Sequence, residues 1–327
     1  MKNKNMLVFF NTEDSSKKII ESSLGKHIDI QYIEYVSEDK RLDIIAKTDI
    51  LLCWSPAVEF REEEFQYLKN AGLLQLVSAG ANHLPFNKLP DNLLMASNVG
   101  AYSEPMGEHV LAMSLCLAKR LVTENNKLKD GTFDQFSVNK MFKNSICGII
   151  GLGGIGKKTA KLFRTFGTKI FAINRSGRTD GEVDFIGTLE DLDCLLSHSD
   201  IVVLSLPLNS KTKGLIGQRE LDLMKSNAMI INVARGDIIH QESLYLHLKN
   251  NPTFQTGIDS WWVEPFIDGE FILDYPFFEL PNFLGSPHNS AIVPGIMEIG
   301  VESAVNNVLS FINGNKIRGE VIREEYR

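Results

Sequence analysis

The stretch SICGIIGLGGIGKKTAKLFRTFG, residues 145–167, decides the fold. An apolar run from Ser145 to Ile150 passes straight into Gly151-Leu152-Gly153-Gly154-Ile155-Gly156. Beyond it Ile155, Leu162, Phe163 and Phe166 recur at roughly helical spacing. Strand, G-x-G-x-x-G and helix in that order predict a dinucleotide-binding turn. The chemistry needs glycines there, because the chain must turn tightly and bring backbone N–H groups against a pyrophosphate, whose charge the helix N-terminus then favours. A β-carbon at Gly153 would obstruct that approach.

Further runs on the C-terminal side are apolar on both faces, as buried parallel strands require: KIFAIN (169–174), DIVVLSL (200–206), AMIINV (228–233), TGID (256–259) and FLGS (283–286). On the N-terminal side MLVFF (6–10), DIQYI (29–33), DILLCW (49–54), LLQLV (73–77) and LLMAS (93–97) alternate with polar, helix-like stretches, which predicts a second parallel α/β sheet. The segment from Asn98 to Leu121 is apolar nearly all round in its second half and reads as a buried helix linking the two. The 39 residues after His288 are too few for another domain but contain a helix from about Ile296 to Phe311, expected to return to the first sheet. The expected fold class is therefore α/β, with two Rossmann-like, doubly wound domains. Residues 1–98 plus 289–327 would form one, and residues 99–288 the dinucleotide-binding one.

The chain has 327 residues, 43% hydrophobic and 23% charged, enough for two packed cores. Its net charge of −7 argues against a surface that tracks phosphate backbones, so nucleic acid is not an expected partner and a small molecule is. Cys53, Cys116, Cys147 and Cys194 lie far apart with no metal-ligand spacing and read as reduced core residues, so no metal is expected. The start offers no signal-like apolar run and no stretch is long enough to span a bilayer, which makes a cytoplasmic location the expectation.

Asn174 ends the strand after the glycine turn, 18 residues beyond Gly156, where an NAD site usually carries an acid for the ribose 2'-hydroxyl. Without the acid a 2'-phosphate is not repelled, and Arg175, Ser176 and Arg178 offer charge-assisted hydrogen bonds to it. NADP(H) is favoured, with NAD(H) possible.

Three segments each follow a strand of the second series: NVARGDIIHQESL with Arg235, GIDSWWVEP with Asp259 and Glu264, and GSPHNSA with His288. In doubly wound sheets ligands gather at the carboxyl ends of strands, so these residues can converge despite gaps of 29 and 24 positions between Arg235, Glu264 and His288. Reducing a 2-oxo acid needs a clamp for its carboxylate, a proton for its carbonyl oxygen and a hydride for C2. Arg235 has the planar fork for the first task, His288 can exchange a proton near neutrality, Glu264 can orient the imidazole, and the nicotinamide carries the hydride.

On these residues the sequence resembles the D-isomer-specific 2-hydroxyacid dehydrogenases. Asn232-Val233-Ala234-Arg235-Gly236, Asp259 with Glu264-Pro265, and Pro287-His288 match that family's pattern in order, as do Leu206-Pro207-Leu208, Thr212 and Gly214-Leu215-Ile216. The resemblance implies Arg235, Glu264 and His288 as the catalytic set. It implies cofactor contacts at Leu206, Pro207, Thr212, Val233 and Ala234, and Asp259 as a partner of the nicotinamide carboxamide. From the other domain, Ser78, Ala79 and Gly80 are implied to bind substrate carboxylate, in a cleft closed by hinge motion. The helix Val110 to Leu121 is similar to the family's homodimer interface, although burial within one subunit explains its pattern equally well.

Glyoxylate and hydroxypyruvate are the substrates that suit an NADP(H) preference. Glu264 argues against a formate dehydrogenase, which resembles the pattern with Gln at that place. The alternatives are a phosphoglycerate dehydrogenase-like enzyme, for which Gly80-Ala81-Asn82 lies in a suitable loop without a basic cluster, and a nicotinamide-sensing corepressor. Trp261-Trp262 depart from the family, which more often has a smaller aromatic and then a polar residue; packing is the expected use of both.

Overall fold

The computed structural model describes residues 4–326. The chain divides into two compact units, one comprising the residues up to Tyr102 together with those from Val293 onward, the other Ser103–Ile292.

The first unit is built on β1 (Asn5–Val8), β2 (Asp29–Tyr32), β3 (Ile50–Cys53), β4 (Leu73–Leu76) and β5 (Leu94–Ala96). All pair in parallel in the order β2-β1-β3-β4-β5. Leu7, Ile50, Leu51, Leu52, Leu73 and Leu74 are wholly buried because helices cover both faces of the sheet. On one face the helix Ile296–Ile312 packs on β4 and on the helix Asp14–Leu24, and Val301, Ala304, Val305 and Val308 join the core of that face. At about 1.5–3 kcal/mol per fully buried aliphatic side chain, that stripe alone holds the helix down. The chain then pairs Glu320 with Ala96 across an antiparallel bridge, and the buried Arg323 donates to the carbonyls of Phe86, Leu89 and Pro90.

The second unit carries β6 (Ile146–Ile150), β7 (Lys169–Ile173), β8 (Phe185–Gly187), β9 (Ile201–Leu204), β10 (Met229–Asn232), β11 (Gln255–Ile258) and β12 (Phe283–Gly285). This sheet is also all parallel, in the order β12-β11-β10-β9-β6-β7-β8. The order reverses between β6 and β9, and at such a switch point the loops leave the sheet toward opposite faces and open a crevice. Both sheets are doubly wound, as the alternation of apolar runs predicts. Eleven of the twelve strands fall on those runs. The exception is β8, a three-residue edge strand whose residues FIG are too few to show a period.

The helix Ser103–Ala118 buries Val110, Met113 and Leu117 within the second unit, packed on the helix Gly154–Arg164 and on β11. The apolar surface left open lies further along: Leu128, Phe133, Phe136, Val138 and Met141 are all exposed. All four cysteines are free thiols; Cys53 and Cys147 are core residues, whereas Cys194 is exposed on the helix Leu192–His198. Among the described residues no helix is long and apolar enough to cross a membrane, and no cluster of His, Cys, Asp or Glu could hold a metal ion.

Candidate active site

The glycine turn occupies the switch point of the seven-stranded sheet. Gly151 has a φ of 99°, and a β-carbon there would stand 2.5 Å from the carbonyl oxygen of Ser205 at the end of β9. The two loops are joined by the Ser205 hydroxyl, which donates to the Gly151 carbonyl at 2.8 Å. Gly153, the residue before the helix, is different: it is exposed, its φ is an ordinary −84°, and nothing lies within 4 Å of where its β-carbon would be. Neither packing nor backbone conformation demands a glycine there. A ligand lying against the helix N-terminus does, and the turn fits a pyrophosphate in that respect. Gly154, Ile155 and Gly156 form the first turn of that helix.

At the end of β7 Asn174 folds the next loop around itself. Its amide oxygen accepts from the Ser176 backbone N–H (3.0 Å), the Ser176 hydroxyl (3.2 Å) and the Gly177 N–H (2.8 Å), and its amide nitrogen donates to the Arg178 carbonyl. An acid could not make the last of these bonds. Arg175, Ser176 and Arg178 are all exposed on this loop. After β9, Leu206 lies beside Gly151, and the Thr212 hydroxyl closes the following turn by donating to the Pro207 carbonyl at 2.7 Å.

Arg235, Glu264 and His288 follow β10, β11 and β12, three adjacent strands, so all three leave the sheet on the same edge. The turn that presents Arg235 is made by Asn232, whose side chain accepts from the Ala234 N–H and donates to the Arg235 carbonyl. Val233 and Ala234 are buried beneath it. Gly236 lets this turn press on the backbone of Trp261 and Trp262, since a β-carbon there would come within 2.3 Å of the Trp261 carbonyl.

His288 Nδ1 stands 2.7 Å from Glu264 Oε2. With Nδ1–H donating to the carboxylate, Nε2 is the nitrogen left to exchange a proton. The two side chains differ in exposure, 36% for the imidazole against 10% for the carboxylate, so the ring is the one that meets solvent. His288 has a φ of 50°, a left-handed conformation in which His is one of the better tolerated residues.

Asp259 is wholly buried and anchors the loop that bears His288. Its carboxylate accepts from the Ser286 hydroxyl at 2.6 Å and from the backbone N–H groups of Asn289 and Ser290. His109, from the helix Ser103–Ala118, reaches the same Ser286 hydroxyl at 3.0 Å. Because that hydroxyl gives its proton to Asp259, His109 Nε2–H is the donor. The bonds of Ser286, His109 and Asn232 have no mark in the sequence. Ser286 and Asn232 sit inside quoted motifs, and His109 in Gly107-Glu108-His109 had no spacing to mark it.

Both tryptophans are packed. Trp261 is 7% exposed among Phe271, Phe278 and Phe283, and Trp262 stacks on Phe277 at 5.5 Å and donates its indole N–H to the Ile239 carbonyl.

In the first unit Ser78, Ala79 and Gly80 follow the end of β4. The Ser78 hydroxyl donates to the Trp54 carbonyl at 3.0 Å, tying this turn to the one after β3. There Glu59 accepts from the N–H groups of Trp54 and Ser55. Burial pushes its carboxyl up to about 7 against the pull of those donors.

Residues 111–290 match the family model for the D-isomer specific 2-hydroxyacid dehydrogenase, NAD binding domain. The chain is 27% identical over 261 residues to the hydroxypyruvate reductase of Thermotoga maritima, covering 79% of this chain and 83% of that one. It is also 27% identical over 261 residues to the glyoxylate reductase of Thermococcus litoralis, covering 76% and 77%. Among solved structures, a D-isomer specific 2-hydroxyacid dehydrogenase of Xanthobacter autotrophicus in complex with NADPH and MES superposes with a TM-score of 0.80 at 21% identity, over 98% of this chain and 99% of that one. The glycine turn at the switch point and the histidine–carboxylate pair thus stand on a chain that belongs to the D-isomer specific 2-hydroxyacid dehydrogenases, nicotinamide-dependent oxidoreductases of small 2-hydroxy and 2-oxo acids.

Proposed function

We propose that this protein is an NADP(H)-preferring reductase of glyoxylate or hydroxypyruvate, in which Arg235 grips the substrate carboxylate and His288 supplies the proton. The observation that carries this reading is the 2.7 Å pairing of His288 Nδ1 with Glu264 on the strand edge that also bears Arg235. The Arg235 guanidinium binds the carboxylate through two parallel hydrogen bonds and polarises the adjacent carbonyl. His288 Nε2–H gives its proton to the carbonyl oxygen as negative charge develops there, and takes it back in the oxidation direction. Glu264 holds the ring in the tautomer that leaves Nε2 outward. A bound nicotinamide would supply or accept the hydride at C2. Asp259 keeps the loop of His288 in place and is the residue proposed to meet the carboxamide. Backbone groups of Ser78, Ala79 and Gly80 are the proposed second contact for the substrate carboxylate.

The NADP(H) preference rests on Asn174, whose amide does what a carboxylate cannot, and on the neighbouring Arg175 and Arg178. NADPH and NADH oxidation measured against glyoxylate, hydroxypyruvate, pyruvate and bulkier 2-oxo acids tests both parts. Expected is turnover on one of the first two with kcat/KM higher for NADPH; a clear NADH preference removes the cofactor assignment, and turnover confined to bulky acids removes the substrate assignment.

A homodimer is proposed from the exposed apolar segment bearing Phe133, Phe136, Val138 and Met141, side chains 69–87% exposed in the single chain. Large apolar patches of this kind mark interfaces.

A further inference from the structure

Trp261 departs from the family pattern, and it bonds Glu264 directly and the tether of His288 through the Ser286 carbonyl. Its backbone N–H donates to Glu264 Oε1 at 2.6 Å, which turns the other carboxylate oxygen, Oε2, toward His288 Nδ1. Its indole N–H donates to the Ser286 carbonyl at 2.8 Å. That same carbonyl accepts from the backbone N–H of His288 at 3.0 Å, so the indole and the histidine hold one oxygen between them. A phenylalanine or tyrosine ring in this place has no donor at that position. The site is shaped for an indole: a β-carbon at Gly285 would lie 2.7 Å from Trp261 Cη2, and Phe271, Phe278 and Phe283 enclose the ring. His288 needs such a hold, because its left-handed backbone is not the conformation a free Pro-His segment favours.

We propose that Trp261 is a positioning residue for proton transfer: through its two N–H groups it fixes the Glu264 carboxylate and the Ser286–His288 tether in one arrangement, so that the imidazole is presented to substrate in a single orientation. This rests on the reading of His288 and Glu264 as the acid–base pair. Misplacing a catalytic group by a fraction of an ångström slows the chemical step while leaving ground-state binding intact.

The test is Trp261→Phe, which keeps an aromatic ring and the backbone donor but loses the indole N–H. A second variant places β-(3-benzothienyl)alanine, an indole isostere with sulfur for N–H, at position 261, and decides the matter if the phenylalanine variant does not fold. Expected is a loss of about tenfold in kcat, with the KM for the 2-oxo acid and the Kd for NADPH within about twofold of the native values. Trp262→Phe, which loses an indole N–H bonded to Ile239 instead, should keep native kcat. Native kcat in the isostere variant overturns the proposal, as does a loss that falls equally on KM, cofactor binding and Tm, which is the mark of packing alone. His288→Ala, assayed in parallel, separates the two claims: if it retains native turnover the acid–base reading has failed, whatever position 261 does.

Discussion

At the carboxyl ends of the seven-stranded sheet stand the charged and titratable side chains proposed to bind substrate and exchange protons: Arg235 after β10, Asp259 and Glu264 after β11, His288 after β12. At the corresponding ends of the five-stranded sheet stand backbone turns, with Ser78 tied to Trp54 and the half-buried Glu59 accepting from Trp54 and Ser55. Both sheets are parallel and doubly wound, and both bury their strands with the same aliphatic residues. The difference lies wholly in the loops. One unit carries charged and titratable side chains at its strand ends, the other hydrogen-bonded backbone turns, and the architecture by itself settles neither.

If that division holds, the largest effect comes from removing the anion grip of the seven-stranded unit. Arg235→Ala should lower kcat/KM for 2-oxo acid reduction by about 10³-fold, since a charge-assisted bidentate contact that also polarises the carbonyl is lost. Near-normal kcat/KM would move the carboxylate clamp elsewhere. A middle-sized effect sharpens the contrast within the second unit, between its chemistry and its cofactor choice. Replacing Arg175 and Arg178 together with Ala should raise the KM for NADPH by about 10²-fold while leaving that for NADH within about twofold. Equal losses with both cofactors would count against a 2'-phosphate contact.

The smallest effect belongs to the first unit and concerns stability. Glu59 has its carboxyl raised to about 7 by burial, from an ordinary value of 4.5. A raised folded-state value means that its contribution is fully present below about pH 4.5 and is lost as pH rises through about 7. Glu59→Gln should therefore flatten the fall in stability over that window, by on the order of 2 kcal/mol, in denaturant titrations at several pH values. Parallel curves for native and variant protein would show that the carboxyl titrates normally.

Much of this was legible in the sequence. Periodicity and the glycine turn located eleven strands and the long helices, because buried parallel strands are apolar on both faces and glycines are forced where backbones meet. The order of the motifs named the residues around the site. What the sequence withheld came from pairings across strand ends: Ser286 with Asp259, His109 with Ser286, and the bonds of Trp261. Serine, histidine and tryptophan are each common inside a fold, and only their placement at the ends of adjacent strands distinguishes them. The helix Ser103–Ala118 shows the same limit. Its all-round apolar pattern fits an interface as well as a core, and in the structure Val110, Met113 and Leu117 are core while the exposed apolar surface begins after it. Cys194 differs from the core expectation for a similar reason: its stretch is apolar in part, but the residue lies on the exposed face of its helix.

Proton exchange at His288 and hydride exchange at C2 of a 2-oxo acid are proposed to meet at the loops after β10, β11 and β12. The most direct measurement uses NADPH deuterated at the reactive carbon of its nicotinamide, with hydroxypyruvate as substrate, in native protein and in His288→Ala. Expected are D-glycerate with deuterium at C2 from the native protein, and transfer slower by at least about 10³-fold in the variant, with NADPH still bound at near-native affinity. Transfer at the native rate without His288, or an L-configured product, would contradict it.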